Sequence, residues 1–561
     1  MILKMKKTLT ALILALSLLL SSCNFALPWQ DVSDNSDGTS DTGKENGNPD
    51  SSCPGKNETD SGNNGFSDSV GNGGDDNNYG DKDTANVPHK DADDNGLCDS
   101  CGDSVTVEIN FFVLNDFHGK MSDSDTQPGA DELSLYLKTL SASNPNSILL
   151  SAGDMWQGGA ESNLSRGFIV TEWMNELDFE AMTLGNHEYD WGEYYIEENA
   201  KIADFPLLAI NVYDRDTNTR AEYCEPSVMI ERGGIQIGVI GAIGDCYSSI
   251  SSDKCEDVYF KTGTALSSLV KTESERLREE GADFIVYMLH DGSNSSNSST
   301  TISNGALSGY YDTTLSSGGY VDVVFEGHSH QSYVLCDSYG VYHMQGGGDN
   351  SGFIHAAARV NFANGNFGMI KASVIPKSTY QNLPDDPYIA ELFLKYADVI
   401  EKASEVLGYN SSYVNGNELE DIIAELYYEL GLRVWSDRYD IALGGGYLKV
   451  RSPYNLYAGE VKYSDLMMLF PFDNEIVLCS IKGYDLRKKF FYTSNSDYHI
   501  SYGEYGSSIK NNIDDNTTYY VIVDTYTSQY KPNKLTVIEK YDTKTFARDL
   551  LAEYIKEGGL E

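Results

Sequence analysis

The sequence predicts an α/β protein: a layered α/β domain followed by a second α/β (α+β) domain. Three observations lead there. From about Val105, apolar strand-like runs alternate with amphipathic helical patterns, the order expected of sheets covered by helices. Five of those runs end in a short polar motif rich in Asp, Asn and His, and ligand sites in open α/β sheets gather beyond the carboxyl ends of strands. Near residue 386 the texture changes to long helical stripes and a second set of strands, within a chain of 561 residues that is too long for one ordinary domain.

The balance of 85 acidic against 40 basic side chains gives a net charge of -45. That excludes nonspecific binding of a nucleic-acid polymer, which needs clustered Lys and Arg. It also repels small anions, so an anion-processing site here needs local positive charge, which bound metal supplies.

Residues 1–22 are expected to be a signal peptide. Lys4, Lys6 and Lys7 precede an apolar segment from Leu9 to Leu20, too short to span a bilayer. The segment ends in Leu20, Ser21, Ser22 and Cys23, which resembles the processing box of bacterial lipoproteins. That resemblance implies cleavage before Cys23, its lipidation and stable membrane anchoring of an exported protein. Residues 23–104 are expected to be an acidic Ser/Asn/Gly-rich tether, too poor in apolar residues to offset ordering entropy.

At its end, HKDADDNGLCDSCG (89–102) places Asp91, Asp93, Asn95 and Asp99 at positions 1, 3, 5 and 9 of a calcium loop, with Gly96 at the turn. Position 12 is Gly102 and not the usual bidentate Glu, so the stretch looks like the short Asp-rich calcium motifs of Gram-positive surface proteins. Cys98 and Cys101 form a disulfide loop or a metal pair, and export favours the disulfide. The other pairing expected from the sequence is Cys246 with Cys255.

The catalytic domain is expected over 105–384. Strands are predicted from Val105 to about Asn115 and at Ile148–Ala152, Ala181–Leu184, Pro206–Asn211, Ile235–Ile243, Phe284–Leu289 and Val321–Phe325. Helices are predicted at Glu132–Leu140 and Ala265–Glu280, the latter stopped by Gly281, with a surface loop at 291–309. Asp386 and Pro387 start a connecting helix over 385–408. The second domain, 409–561, opens with a helix at Glu418–Leu430, continues with strands at Ile476–Ile481 and Tyr519–Val523, and closes with a helix at Ala547–Lys556.

The five motifs are LNDFHG (114–119), LLSAGDMWQG (149–158), GNHEYD (185–190), YMLHDG (287–292) and VVFEGHSH (323–330). Carboxylates and imidazoles with one Asn and no thiolate suit Zn, Mn, Fe or Co. Asp116 and His118 are two apart and can face one ion, as can His328 and His330. Asp154 has two oxygens with which to bridge two ions, and Asn186 and His290 can complete the ligands of the second ion. His187 and Asp190 are candidates for a proton-handling pair. Two divalent ions side by side clamp a phosphoryl group and activate a water.

In this order the motifs resemble those of the metallo-dependent phosphoesterases, and in their longer forms the 5'-nucleotidase family, from Val105 to about Lys377. GGGYLKVR (444–451) and GEVKYSDLMMLFPFDNEI (459–476) are similar to that family's carboxy-terminal substrate domain. The resemblance implies a four-layer αββα sandwich, with one ion on Asp116, His118, Asp154 and His330 and the other on Asp154, Asn186, His290 and His328. It implies that His187 stabilises or protonates the leaving alkoxide, oriented by Asp190, and that the second domain rotates to carry a nucleotide to the metals.

The second domain departs from the family pattern. Leu443 stands where an Asn is usual, leaving Lys449 or Arg451 to grip phosphate. Phe472 matches one half of a base-stacking clamp, while the region of the other half keeps Tyr526 and Tyr530 but lacks the family's glycines. The expected activity is removal of phosphate from nucleoside 5'-monophosphates. Cyclic nucleotide phosphodiesters, nucleotide sugars or a non-catalytic surface binding role are the alternatives, and no stretch requires an obligate protein partner.

Overall fold

A computed structural model describes residues 89–123, 127–292, 320–337, 340–451, 455–491, 498–502, 512–529, 534–542 and 544–560. The signal segment, Cys23, most of the tether, most of the 291–309 loop and Tyr530 lie outside the described residues.

Two six-stranded sheets build the amino-terminal part. The chain lays down β1 (Thr106–Leu114), β2 (Ser147–Ser151), β3 (Phe179–Thr183) and β4 (Leu207–Leu208), then a small pair, β5 (Val212–Asp214) with β8 (Val258–Phe260). Between and after these come β6 (Ser227–Arg232), β7 (Ile235–Ile243), β9 (Phe284–His290), β10 (Val323–Glu326), β11 (Ser332–Cys336), β12 (Tyr342–Gly346), β13 (Gly352–Asn361) and β14 (Phe367–Pro376). The sheet orders are β14-β13-β1-β2-β3-β4 and β11-β12-β10-β9-β7-β6.

Strand periodicity explains the layering, because successive side chains point to opposite faces. On β1, Ile109, Phe111 and Val113 join Phe284, Val286 and Met288 of β9 in one buried cluster between the sheets. The alternate residues Phe112 and Leu114 pack outward against Leu133 and Leu137 of the helix Ala130–Ser143 and against Trp173 of the helix Phe168–Glu176. On β9, Ile285, Tyr287 and Leu289 face Leu266, Val270 and Leu277 of the helix Thr264–Glu279. Helix, sheet, sheet, helix is the four-layer αββα sandwich.

Asp386 caps the next helix, Pro387–Lys395, through Tyr388 N–H, with Pro387 in its first turn as the sequence predicts. The single connecting helix is corrected to two. Tyr396 (φ -105°, ψ 34°) interrupts it, and Ala397–Ala403 follows as a second helix. Ile389 and Leu392 pack into the amino-terminal core while Ala403 joins the carboxy-terminal one. The connector is therefore anchored at both ends.

The carboxy-terminal part contains β15 (Val406–Asn410), β16 (Ile441–Tyr447), β17 (Gly459–Lys462), β18 (Ile476–Lys482), β19 (Tyr498–Ser501), β20 (Thr518–Asp524) and β21 (Thr536–Lys540). Five of these form a sheet in the order β19-β16-β20-β18-β21. The helix Gly416–Trp435, started by a capping box between Asn415 and Glu418, covers one face with Leu419, Ile423, Tyr427 and Leu430.

Residues 89–104, read from sequence as the end of the tether, pack on the folded body. Asn361 donates to the Asp91 and Asp94 carboxylates, and Asn364 and Asn366 donate to Asp94. Among the described residues no helix is long and apolar enough to cross a membrane.

Candidate active site

β1, β2 and β3 are mutually parallel, as are β9 and β10, so their carboxyl ends gather on one edge of the sandwich. The five motifs leave from those ends. Asp116, His118, Asp154, His328 and His330 have φ of 50°, 52°, 54°, 71° and 55°, in the left-handed region that costs a non-glycine residue about 1 kcal/mol or more. Backbone strain at these positions turns the side chains off their strands towards one another.

The structure brings the sequence-predicted ligands together. The side-chain donors of Asp116, His118 and His330 lie within 4.8 Å of one another, and so do those of Asp116, Asp154 and His290. His118 Nε2 faces His330 Nε2 at 3.0 Å, while His118 Nδ1 is bound to Gln157 O at 2.7 Å. His290 Nδ1 is likewise bound to Ala152 O at 2.7 Å, which leaves its Nε2 pointing at Asp154 Oδ2 at 3.0 Å. His328 Nδ1 lies 2.9 Å from Asn186 Oδ1, and its backbone N–H donates to the Asp116 carboxylate. A carbonyl on the far ring nitrogen is how proteins fix the tautomer of a metal-binding imidazole.

Two observations test whether these residues fit a cation. Asp154 Oδ2 and His290 Nε2 are buried 3.0 Å apart and have no other partner, so a cation between a carboxylate oxygen and an imidazole nitrogen would complete both. Burial, reinforced by the neighbouring positive charge of Arg451, holds His118 well below the usual histidine range. Burial and the charge on His290 hold His328 down to about 4. Both rings are therefore neutral, the form that binds metal. The donor set fits hard or borderline divalent ions.

His187 stands beside this cluster. Its Nδ1 lies 2.7 Å from Asp190 Oδ2, leaving Nε2 as the free ring nitrogen. Burial opposes the charged ring, but the carboxylates of Asp190 and Asp154 outweigh it and raise His187 to about 9. At neutral pH the ring carries a proton. Because a raised pKa means the proton is held below that value and lost above it, turnover that uses this proton falls as pH rises through the basic limb. Asp190→Asn removes the anion that favours protonation. It is expected to move that limb to lower pH and lower kcat about tenfold or more, read from a pH profile of kcat.

Glu188, which sequence reasoning passed over, is fully buried in the short helical turn after Asn186. Its carboxylate accepts from the backbone N–H groups of Asp154 (2.9 Å), Met155 (2.9 Å), Trp156 (3.3 Å) and Gly185 (2.7 Å). One side chain thus holds the GDMWQG and GNHEYD loops in register. Burial, then the charge of Asp154, pushes its carboxyl up to about 7. Asn115 was also missed. Its side chain donates to Asp116 Oδ2 at 2.6 Å and accepts from Gly346 N–H at 2.8 Å. Both residues lie inside the quoted motifs, so position in the motif was the available signal. Glycine is required at Gly185, where a Cβ would fall on the Asp154 carboxylate.

Of the second-domain candidates, the structure places two at the cluster. Arg451 donates through its guanidinium to Gln157 Oε1 at 2.9 Å. The Phe472 ring lies 6.0 Å from the His187 ring, centroid to centroid, with an interplanar angle of 23°. Lys449 is exposed, and Tyr526 packs on Tyr447 at 5.6 Å with its own ring partly exposed. Asp91, Asp93 and Asp99 bring carboxylates within 4.8 Å of one another, but the Asn95 oxygen accepts from Leu97 N–H. The two disulfide expectations are corrected. Cys98, Cys101, Cys246 and Cys255 are all free thiols, and Cys246 Sγ is turned to His290 O at 2.9 Å.

Comparisons with known proteins agree with this geometry. Residues 109–332 match the family model described as calcineurin-like phosphoesterase. The chain is 25% identical to an apyrase of Tabanus yao over 435 residues, 71% of this chain and 74% of that one. It is also 25% identical to a snake venom 5'-nucleotidase of Naja atra over 424 residues, 69% of this chain and 78% of that one. Among solved structures, a 5'-nucleotidase precursor from Thermus thermophilus superimposes with a TM-score of 0.58 at 20% identity, covering 80% of this chain and 96% of that one, which establishes the shared fold. Residues 109–332 are thus a calcineurin-like phosphoesterase domain, in a chain similar to relatives named 5'-nucleotidase and apyrase, and the protein is a metal-dependent phosphoester hydrolase.

Proposed function

We propose that the chain removes phosphate from nucleoside 5'-monophosphates, working outside the membrane as a lipid-anchored protein of a Gram-positive surface. In this reading Asp116, His118, Asp154 and His330 hold one divalent ion, and Asp154, Asn186, His290 and His328 hold the other. The observation that carries it is the buried pair Asp154 Oδ2 and His290 Nε2, 3.0 Å apart with no other partner and gathered with the Asp116 carboxylate within 4.8 Å. Two bound ions supply phosphoryl polarisation and an activated water.

The rest of the chemistry belongs to the chain. His187 holds a proton at Nε2, positioned by Asp190, for the leaving ester oxygen. Arg451 sets a fixed positive charge against Gln157 of the GDMWQG loop, where it offsets the repulsion a chain of net charge -45 exerts on an anionic substrate. Phe472 offers a half-exposed aromatic face next to His187, and Tyr526 is its candidate partner in stacking a base. The names of the relatives, apyrase and 5'-nucleotidase, support a nucleotide substrate. The basic, apolar leader ending at Cys23 supports export and anchoring.

The test is phosphate release from metal-loaded protein against AMP, UDP-glucose, 2',3'-cyclic AMP and an aryl phosphate ester. Preference for AMP is expected, and activity on the aryl ester alone would sink the nucleotide assignment. Phe472→Ala is expected to raise KM for AMP about tenfold, since stacking a base on an aromatic ring is worth about 1–3 kcal/mol. It should leave the aryl ester nearly unaffected in the same assay.

A further inference from the structure

We propose that His89, Cys98 and Cys101 form a third metal site, for a single zinc-class divalent ion, which fastens the amino-terminal segment to the hairpin between β13 and β14. No residue of this site belongs to the five motifs.

The geometry is that of a ready ligand set. His89 Nδ1 lies 3.5 Å from Cys101 Sγ, and one ligand atom from each of the three residues falls within 4.8 Å of the others. Cys98 and Cys101 sit on a tight turn closed by Gly102 N–H donating to Cys98 O at 2.8 Å, and Gly102 has the positive φ of 76° that this return requires. Cys98 is buried, with its sulfur gathered beside the ligand atoms of His89 and Cys101, and a thiolate is the form of cysteine that ligates metal. A Cys-x-x-Cys pair with one His and an open fourth position is a tetrahedral zinc pattern.

The surroundings give the site its purpose. His89 packs edge-on against Phe362 in the β13–β14 turn, with ring centroids 6.0 Å apart. Asp91 accepts from Asn95 N–H, Gly96 N–H and Asn361, so the chain between His89 and Cys98 is already wound into the required loop. Lys90 O accepts from Asp99 N–H at 2.7 Å, which brings His89 back to the two cysteines. A disulfide between Cys98 and Cys101 would leave the histidine without a role, whereas a metal uses all three side chains. Binding there fixes the point at which the tether leaves the catalytic body.

The experiment uses the full chain, reduced and loaded with Co(II) in place of zinc. Thiolate ligation gives a sulfur-to-cobalt charge-transfer band that imidazole and carboxylate ligands cannot give. Cys246, whose thiol lies with His290 and His328, is the internal control. The band is expected in the wild type and in Cys246→Ser, and is expected to vanish in Cys98→Ser and in Cys101→Ser, each of which retains full hydrolysis of the aryl phosphate ester. Bound zinc should fall by one ion per chain in both variants. Limited proteolysis provides a second measurement: cleavage within 89–104 should rise at least about tenfold on chelation or in either variant, in line with the large free energy of structural zinc ligation. A wild type with no such band, a band that survives loss of both thiols, or a Cys98–Cys101 disulfide in the protein as isolated would overturn the proposal.

Discussion

Asp154→Ala is expected to lower phosphate release by about 1,000-fold or more and to reduce bound metal at the catalytic centre. The size follows from position. Altering residues that merely orient a metal ligand costs about 10- to 100-fold in affinity or activity, and Asp154 is itself a buried carboxylate whose oxygen lies within 4.8 Å of the Asp116 and His290 donors. Its removal also leaves His290 Nε2 without its counter-charge at 3.0 Å. The fold should survive, because the backbone N–H of residue 154 still donates to Glu188. Circular dichroism and a metal assay on the same sample separate loss of the centre from loss of the fold. Full turnover in the variant would refute the bridging role.

Glu188→Ala should be the most destabilising single change at the site. Four backbone N–H groups lose their acceptor in a place water does not reach. Each unsatisfied buried donor costs about 1–3 kcal/mol, so a loss of about 3 kcal/mol or more is expected in denaturant unfolding. Activity should fall with it, since the loops carrying Asp154 and Asn186 lose their common tie. Glu188→Gln keeps the shape and one good acceptor, and should fall between wild type and Ala. Equal stability of all three proteins would show that the carboxylate is not the tie described.

Much of this architecture was legible in the sequence because the strands that carry the site are buried on both faces or nearly so. Ile235–Ile243 and Phe284–Leu289 read as continuous apolar runs, and they are β7 and the body of β9. The hairpin strands were not legible. β13 is rich in small residues, Ala356, Ala357 and Ala358, and its strand character comes from pairing with β1 and β14 and not from any apolar alternation. The order of residues 89–104 was hidden for a related reason. Its Asp and Asn content reads as a solvated tether, and the groups that fix it, Asn361, Asn364 and Asn366, are remote in sequence.

At the site, the motif spacing picked out side chains that the fold gathers at one place, but it could not separate Arg451 from Lys449. That distinction depends on which side chain reaches Gln157 across the two parts of the chain. Nor could spacing identify Glu188 as a tie, since a carboxylate beside a histidine reads equally well as a ligand or a solvated group. Its inward direction is set by the short helical turn at His187–Tyr189.

The most direct test of the two-ion centre is anomalous diffraction from crystals of the protein loaded with Mn(II). The account predicts two peaks about 3.5–4 Å apart, both within coordination distance of the Asp154 carboxylate. Asp116, His118 and His330 should lie around one peak, and Asn186, His290 and His328 around the other. A single peak, or two that do not share Asp154, would contradict it.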